Sequence, residues 1–423
     1  MSGAPEPSWL ETLRREAAAS FETLGLPTSR MEDWRYTARA LKSLAQLELV
    51  PPVGAGPAPE RGTLEELASP LFACSEFAFV DNRFSAELST PRGLSGDLPV
   101  RSLRALLDEG SDALEGALGQ LARVKDDAFA ALNTAHFGDG ALVHIERGQE
   151  IAQPLHLVFV TSDTAGRTTH PRIVIRAEAG SRATLIVDFV SAGEGPRFTN
   201  ALLEVDLGAN AELDLVLLQR ECDATIHVSR SYVRQARDSR LRAHTLVLGG
   251  RAVRNELEIT LAEEGADASL NGLFLGLGDQ HVDNHTWVDH AVPHCTSREL
   301  YKGVLGDRAR GVFRGRIVVR PDAQKTAAEQ SNPNLLIGDR AEIDTKPQLE
   351  IYADDVRCSH GSTIGQLDSD ALFFLRARGI GAEDARAMLI QAFAAEISDA
   401  LPSEALGERV REMFLQRLDG VGS

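Results

Sequence analysis

From Ala141 to about residue 366 the apolar residues recur at every second position. Leu155, Leu157 and Phe159 form one such run, Ala183, Leu185, Val187 and Phe189 another, and Leu213, Leu215 and Leu217 a third. Each run is bounded by Gly, Asn or Asp, the pattern of short strands separated by tight turns. Outside this block the period becomes helical. Leu10, Leu13, Ala17, Phe21 and Leu24 predict a helix over residues 8 to 24, with Ser8 and Glu11 placed as a capping box. A second short helix is predicted over Ala38 to Ala45, a lone strand over Phe77 to Asn82, and helical sequence over Val100 to Leu132. PPVGAGPAP, Pro51 to Pro59, has the composition of a linker. Near the C-terminus three helices are expected, over Asp370 to Gly379, Ala382 to Leu401 and Ser403 to Leu418; the last sets Leu406, Val410, Met413, Phe414 and Leu418 along one face.

The strand block also repeats. A glycine followed three residues later by alanine stands at Gly180/Ala183, Gly208/Ala211, Gly265/Ala268, Gly306/Ala309 and Gly338/Ala341, with Ala236/Ser239 as a looser copy. The steps from 180 to 208, 236 and 265 are 28, 28 and 29 residues; the later steps of 41 and 32 imply insertions. No helical stretch interrupts the block, which argues against an alternating α/β sheet. A period this short, in a chain with 5% aromatics, fits a parallel β-helix better than a propeller. The expected architecture is mainly β: residues 1–137 a helical domain with a flexible insert, 138–366 the β-helix, and 367–423 a helical region that could cap the open end of the solenoid.

Composition narrows the function. The 423 residues carry a net charge of −18, which argues against nucleic acid or an anionic membrane surface as the main partner. The N-terminus lacks a signal-peptide pattern, and no apolar run approaches the roughly 20 residues of a membrane helix. A cytosolic protein is expected. The four cysteines, Cys74, Cys222, Cys295 and Cys358, form no Cys-x-x-Cys pair, so neither a zinc ribbon nor a disulfide framework is signalled. Cys74, Cys222 and Cys295 read as structural. Phosphate-binding, serine-hydrolase and dinucleotide motifs are absent.

Two stretches could carry chemistry. CSHGSTIGQLD, Cys358 to Asp368, sets a thiol and an imidazole two residues apart where strand-like sequence gives way to helix. In a strand, Cys358 and His360 would point to one face and could reach one metal. The competing reading is a buried thiol beside a histidine bonded to backbone. HVDNHTWVDHAVPHC, His281 to Cys295, holds four histidines, two aspartates and a cysteine. Its spacings match no zinc motif, and as strands it would split the histidines between two faces. A stand-alone metal-dependent β-helix enzyme built on this patch is the alternative function.

Three further stretches carry a resemblance: PTSRMEDWRYT, the run from Leu300 to Asp368, and FFLRARGIGAEDARAMLIQAFAAEI. With them the chain resembles the SufB/SufD family, the scaffold subunits of the SUF iron–sulfur cluster assembly system, over essentially its whole length. Gly361 after Cys-Ser-His, where the SufB branch typically has an acidic residue, favours the SufD branch. Phe374 and Ser362 depart from the residues common in the family. The resemblance implies a right-handed parallel β-helix and a cytosolic complex with SufB and the ATPase SufC. The C-terminal helices would dock SufC, and a nascent cluster would form where the β-helix ends of the two scaffold subunits meet. It further implies that Cys358 and His360 face SufB, with His360 the stronger candidate ligand, and that the chain is a non-catalytic subunit. Thiolate and imidazole are both ligand types of iron–sulfur centres. A reduced flavin, proposed for complexes of this family, is carried as an open cofactor.

Overall fold

A computed structural model describes residues 6–50, 62–63, 67, 74–94, 98–163 and 166–419. Its centre is a parallel β-helix whose chain passes alternately between two facing sheets. The first sheet runs from the hairpin Ser75–Val80 and Arg83–Thr90 through Leu155–Thr161 to Arg357–Gly365. The second runs from Val100–Ser102 and Gly140–Ile145 to Glu342–Ile351. From Leu155 onward successive strands within each sheet pair in parallel and in register. Period-two sequence thereby becomes one set of side chains in the lumen and another on the outer faces. Leu185, Leu215, Leu257, Ile259 and Phe313 are among the buried lumen residues.

One corner repeats through six successive turns of the solenoid. Two residues before the strands beginning at Arg182, Glu212, Arg240, Asp267, Thr296 and Ala327 stands a residue of positive φ: Gly180, Asn210, Asp238, Gly265, His294 and Lys325, with φ between 50° and 80°. Gly, Asn and Asp enter this region readily, whereas His and Lys do so with strain. The N–H of Gly180, Asn210, Asp238, His294 and Lys325 donates to a carbonyl of the next corner. The corner recurs every 27 to 31 residues, counted from these strand starts. The Gly-x-x-Ala series expected to mark it does so only as far as Gly265. Gly306 and Gly338 turn the opposite corner, from the first sheet to the second. The irregular late spacings are therefore a change of corner and not insertions.

Other expectations need correcting. Ser8 begins helix α1 (Ser8–Leu24), but Pro7 occupies the N-cap position without a side-chain cap, so no capping box forms. Residues Ala40–Gln46 form a 3-10 helix. The strand at Phe77 is not alone: Asp81 and Asn82, both at positive φ, turn it into an antiparallel hairpin that extends the first sheet. Val100–Leu132 is broken into the short strand Val100–Ser102, helix α2 (Leu103–Asp108), a run of turns rich in glycine, and helix α3 (Ala128–His136). The stretch Pro51 to Pro59 lies outside the described residues. Helices α4 (Ser369–Arg376), α5 (Ala382–Asp399) and α6 (Glu404–Asp419) follow the expected C-terminal pattern, but they do not cap the solenoid. Ile390, Ala394, Ile397, Leu406, Val410 and Phe414 pack on Val216, Leu246, Leu273 and Leu275, the outer face of the first sheet. The outward alternate positions of that sheet are apolar, so burying them wins over covering the end. Among the described residues no helix is long and apolar enough to cross a membrane.

The N-terminal segment is fastened to the outer face of the second sheet. Trp34 lies with its ring centroid 3.8 Å from the buried Arg254 guanidinium. Arg254 bonds Asp283, which also accepts from Thr37, and donates to Glu256 at 2.5 Å. Burial lowers Arg254 to about 10. Burial also opposes a charged Asp283, but Arg254 foremost, with His285, outweighs it and holds this carboxyl far below the ordinary range. A second buried pair, Arg172 with Glu204, holds the backbone N–H groups of Gly119, Leu121 and Ala122 through the same carboxylate.

Inside the lumen the apolar filling changes near the C-terminal end. Glu299 and Gln330 occupy positions that Leu215, Ala243 and Leu270 fill in earlier turns. Gln330 Nε2 donates to Glu299 Oε2 at 2.5 Å. Across from them is Gly315, where a Cβ would overlap the Gln330 amide. Burial pushes the Glu299 carboxyl up to about 7.

Two outcomes are expected. Asp283→Asn removes the buried carboxylate from Arg254, leaves it only the partly exposed Glu256, and destabilises the fold by up to about 3–5 kcal/mol in denaturant titrations; because Asp283 is held low, its contribution is present at neutral pH and is lost as pH falls below 4, so the variant's acid limb is flatter. Glu299 is shifted the opposite way, so its penalty grows as pH rises from 4.5 through 7. Glu299→Gln therefore melts higher than the parent at pH 8, by roughly 3 kcal/mol, and matches it at pH 4.5. A pH-independent difference contradicts this.

Candidate functional site

Two interior ladders of the first sheet end at the residues the sequence singles out. Ala183, Leu213, Leu241, Ala268, Ser297, Ala328 and Cys358 are register partners in succession. So are Leu185, Leu215, Ala243, Leu270, Glu299, Gln330 and His360. Cys358 and His360 therefore lie in one strand, on its lumen side, and the structure brings them together. Arg357–Gly365 is the last strand of its sheet and Glu342–Ile351 the last of the other; neither strand contains a fully buried residue.

Cys358 is half-buried against the interior core, and that burial pushes its thiol up. It lines an open depression of about 390 Å³ with Ser297, Arg298, Ala328 and Arg357. His360, one rung above Gln330, is exposed. The backbone edge is open as well. Arg357 N–H donates back to Thr326, so by the alternation of a parallel ladder the N–H groups of Cys358, His360, Ser362 and Ile364 point away from the solenoid. This edge can accept another strand, and the two side chains can offer sulfur and nitrogen ligands.

Beside the open turn is an apolar surface. Helix α4 buries none of its residues; Phe373 is 73% and Phe374 54% exposed, and Ile364, Tyr352 and Met388 are exposed too. The Arg378 guanidinium lies 3.3 Å from the Phe374 ring centroid, leaving Phe373 as the protruding side chain.

The His281–Cys295 stretch does not gather. His281 accepts or donates with Thr37 at 2.9 Å on the outer face, and His285 pairs with Asp283 at 3.0 Å. His290 points into the lumen, 2.8 Å from Ser297 Oγ. His294 turns the corner, and Cys295 is buried in the core. Burial pushes both His281 and His290 down to about 4. Among the described residues no group of three or more His, Cys, Asp or Glu could hold a metal ion. Sequence reasoning missed what this stretch does: with Arg254 it fixes Trp34 and Thr37. The signal was the aromatic-rich turn MEDWRYT, which needed a buried partner.

Comparison with known proteins agrees with this architecture. A family model described as SUF system FeS cluster assembly, SufBD core domain, matches residues 159–393, and one for the SufBD protein N-terminal region matches residues 68–157. The chain is 34% identical to the iron–sulfur cluster assembly protein SufD of Escherichia coli, over 94% of this chain and 90% of that protein. It is 32% identical to an iron–sulfur cluster assembly SufBD family protein of Synechocystis, over 97% and 92%. SufD of Bacillus subtilis is 24% identical over 96% and 93%. The in-register solenoid, its open last turn and these matches together place the chain in the SufBD family of SUF iron–sulfur cluster assembly proteins, as a homologue of SufD.

Proposed function

We propose that the chain is a non-catalytic scaffold subunit whose open last turn is half of a nascent-cluster site, completed by the β-helix of SufB. The observation that carries this reading is the coincidence of a free strand edge with Cys358 and His360 on the final rung. Proteins ordinarily blunt a long open edge, because it pairs with other chains. Here a second β-helix could continue the ladder and bring its own ligands to the same place. His360 is the principal ligand of this half-site and Cys358 its neighbour, both acting on the cluster as cargo. A mixed imidazole–thiolate set shared between two chains is well suited to a cluster that must leave.

The exposed face of α4, with Phe373 and Phe374, is the docking surface for SufC, in which ATP hydrolysis takes place. Aromatic side chains that protrude from an unburied helix are the residue types that dominate binding energy at interfaces.

Anaerobic co-purification with SufB and SufC tests both parts. His360→Ala is expected to lower bound iron and sulfide by at least about tenfold with the complex intact, and Cys358→Ser to lower them less. Full iron and sulfide loading of the His360→Ala complex contradicts the assignment. Ile364→Lys places a charge on the pairing edge and is expected to weaken SufB binding by at least about tenfold, ~1.4 kcal/mol, in titrations. Phe373→Ala with Phe374→Ala is expected to weaken SufC binding by about 2 kcal/mol without changing SufB affinity; unchanged SufC affinity removes α4 from the interface.

A further inference from the structure

A thiol far from the last turn has the surroundings of a nucleophile. His156, in the strand Leu155–Thr161, is fully buried on the outer face of the first sheet. Its Nε2 meets Asp188 Oδ2 of the neighbouring strand at 3.3 Å. Asp188, also fully buried, receives both Arg220 Nε at 3.1 Å and Arg220 Nη2 at 2.9 Å. Arg220 fixes Asp188, and Asp188 fixes the ring. The other ring nitrogen, Nδ1, has no hydrogen-bond partner among the described residues. The thiol of Cys74 lies beside this ring. Register accounts for the approach: Ser75 pairs with Leu155 and Glu76 with His156, so Cys74 shares the outward face of His156 one diagonal step away.

A buried ion pair that only fastens strands needs no thiol beside it. The order thiol, imidazole, carboxylate is that of an activated cysteine, in which the ring takes the thiol proton and the carboxylate stabilises the imidazolium. Burial by itself would disfavour a charged ring; Asp188 and Cys74 outweigh it and hold His156 up at about 9.

We propose that Cys74 is a reactive thiol, a modification site for small uncharged hydroperoxides, with His156 as its proton acceptor and donor and Asp188 and Arg220 as positioning residues. The Cys74 thiolate attacks one peroxide oxygen. The S–O bond forms to the oxygen that keeps its hydrogen as the O–O bond breaks, and the leaving oxygen takes the proton from His156 and departs as water from hydrogen peroxide or as the alcohol from an organic hydroperoxide. Sulfur is oxidised by two electrons to the sulfenic acid and the peroxide is reduced; a small thiol reductant reverses the change. At 6% exposure the site admits a molecule of this size in preference to a bulky thiol or a protein.

The test is site-resolved mass spectrometry of the full-length folded chain at pH 7, exposed to hydrogen peroxide and trapped with a sulfenic-acid reagent. Cys295 is the internal reference: it is fully buried, against 6% exposure for Cys74, and burial pushes its thiol up. Cys74 is expected to react at least tenfold faster than Cys295, and Asp188→Asn or His156→Gln is expected to slow Cys74 at least tenfold. A purely structural network gives the opposite sign, since loosening it exposes Cys74 and speeds its reaction. Equal rates for Cys74 and Cys295 in the parent chain, or a variant in which Cys74 reacts as fast or faster, overturns the proposal. Equal rates in the parent chain overturn the proposal even if neither variant folds, because Cys74 has the more accessible thiol of the two.

Discussion

In-register stacking is the constraint on which the rest of this structure depends. Each strand of a parallel β-helix satisfies its backbone through the strand before it and the strand after it, and each lumen side chain is covered by the equivalent residue one turn on. At the N-terminal side the hairpin Ser75–Thr90 and the strand Val100–Ser102 end the two sheets with antiparallel partners. At the C-terminal side the chain runs into helices that leave for the outer face of the first sheet. The last rung therefore keeps unpaired edge groups and half-covered lumen residues. Cys358 and His360 stand where Ala328 and Gln330 stand one turn earlier; positions that are packed in the earlier turns are uncovered in the last because no further turn follows.

The lumen prepares for this change. Through most of its length it is filled by Leu, Val, Ile and Ala, which requires only volume and stacking. In the turns before the end, Glu299 and Gln330 replace the aliphatic residues, with Gly315 leaving room for the amide. A buried carboxyl under His360 is costly unless it is protonated or bonded. Its presence marks this end of the solenoid as different from the rest. The outer faces are specialised too. The second sheet binds the N-terminal segment through Arg254, Asp283, Trp34 and Thr37, and the first sheet carries α5 and α6.

Much of the scaffold was legible in the sequence because its signals are local. Alternation gave the strands, helical spacing gave α1, α5 and α6, and the two-residue step from Cys358 to His360 placed both on one face. Corners were only half legible, since Asn210, Asp238, His294 and Lys325 do the work of Gly180 and Gly265 without looking like them. Pairings between turns were not legible at all. Asp283 lies 29 residues from Arg254 and 246 from Thr37, and Asp188 is 32 residues from His156. Register creates these partnerships, and register follows from the sum of the corners, so one misassigned corner displaces all of them. The same limit hid the failure of the C-terminal helices to cap the end: their apolar faces announce burial but not against which surface.

A last rung that awaits another chain leaves its clearest trace in the backbone. Hydrogen exchange of the amides of Cys358, His360, Ser362 and Ile364 can be followed in the isolated chain and in the complex with SufB. These four are expected to exchange fast when the chain is alone, against slow exchange of Ser359, Gly361 and Thr363, and all four are expected to gain protection in the complex. If they are protected in the isolated chain, or stay unprotected when SufB is bound, the open rung is not the surface through which the scaffold is completed.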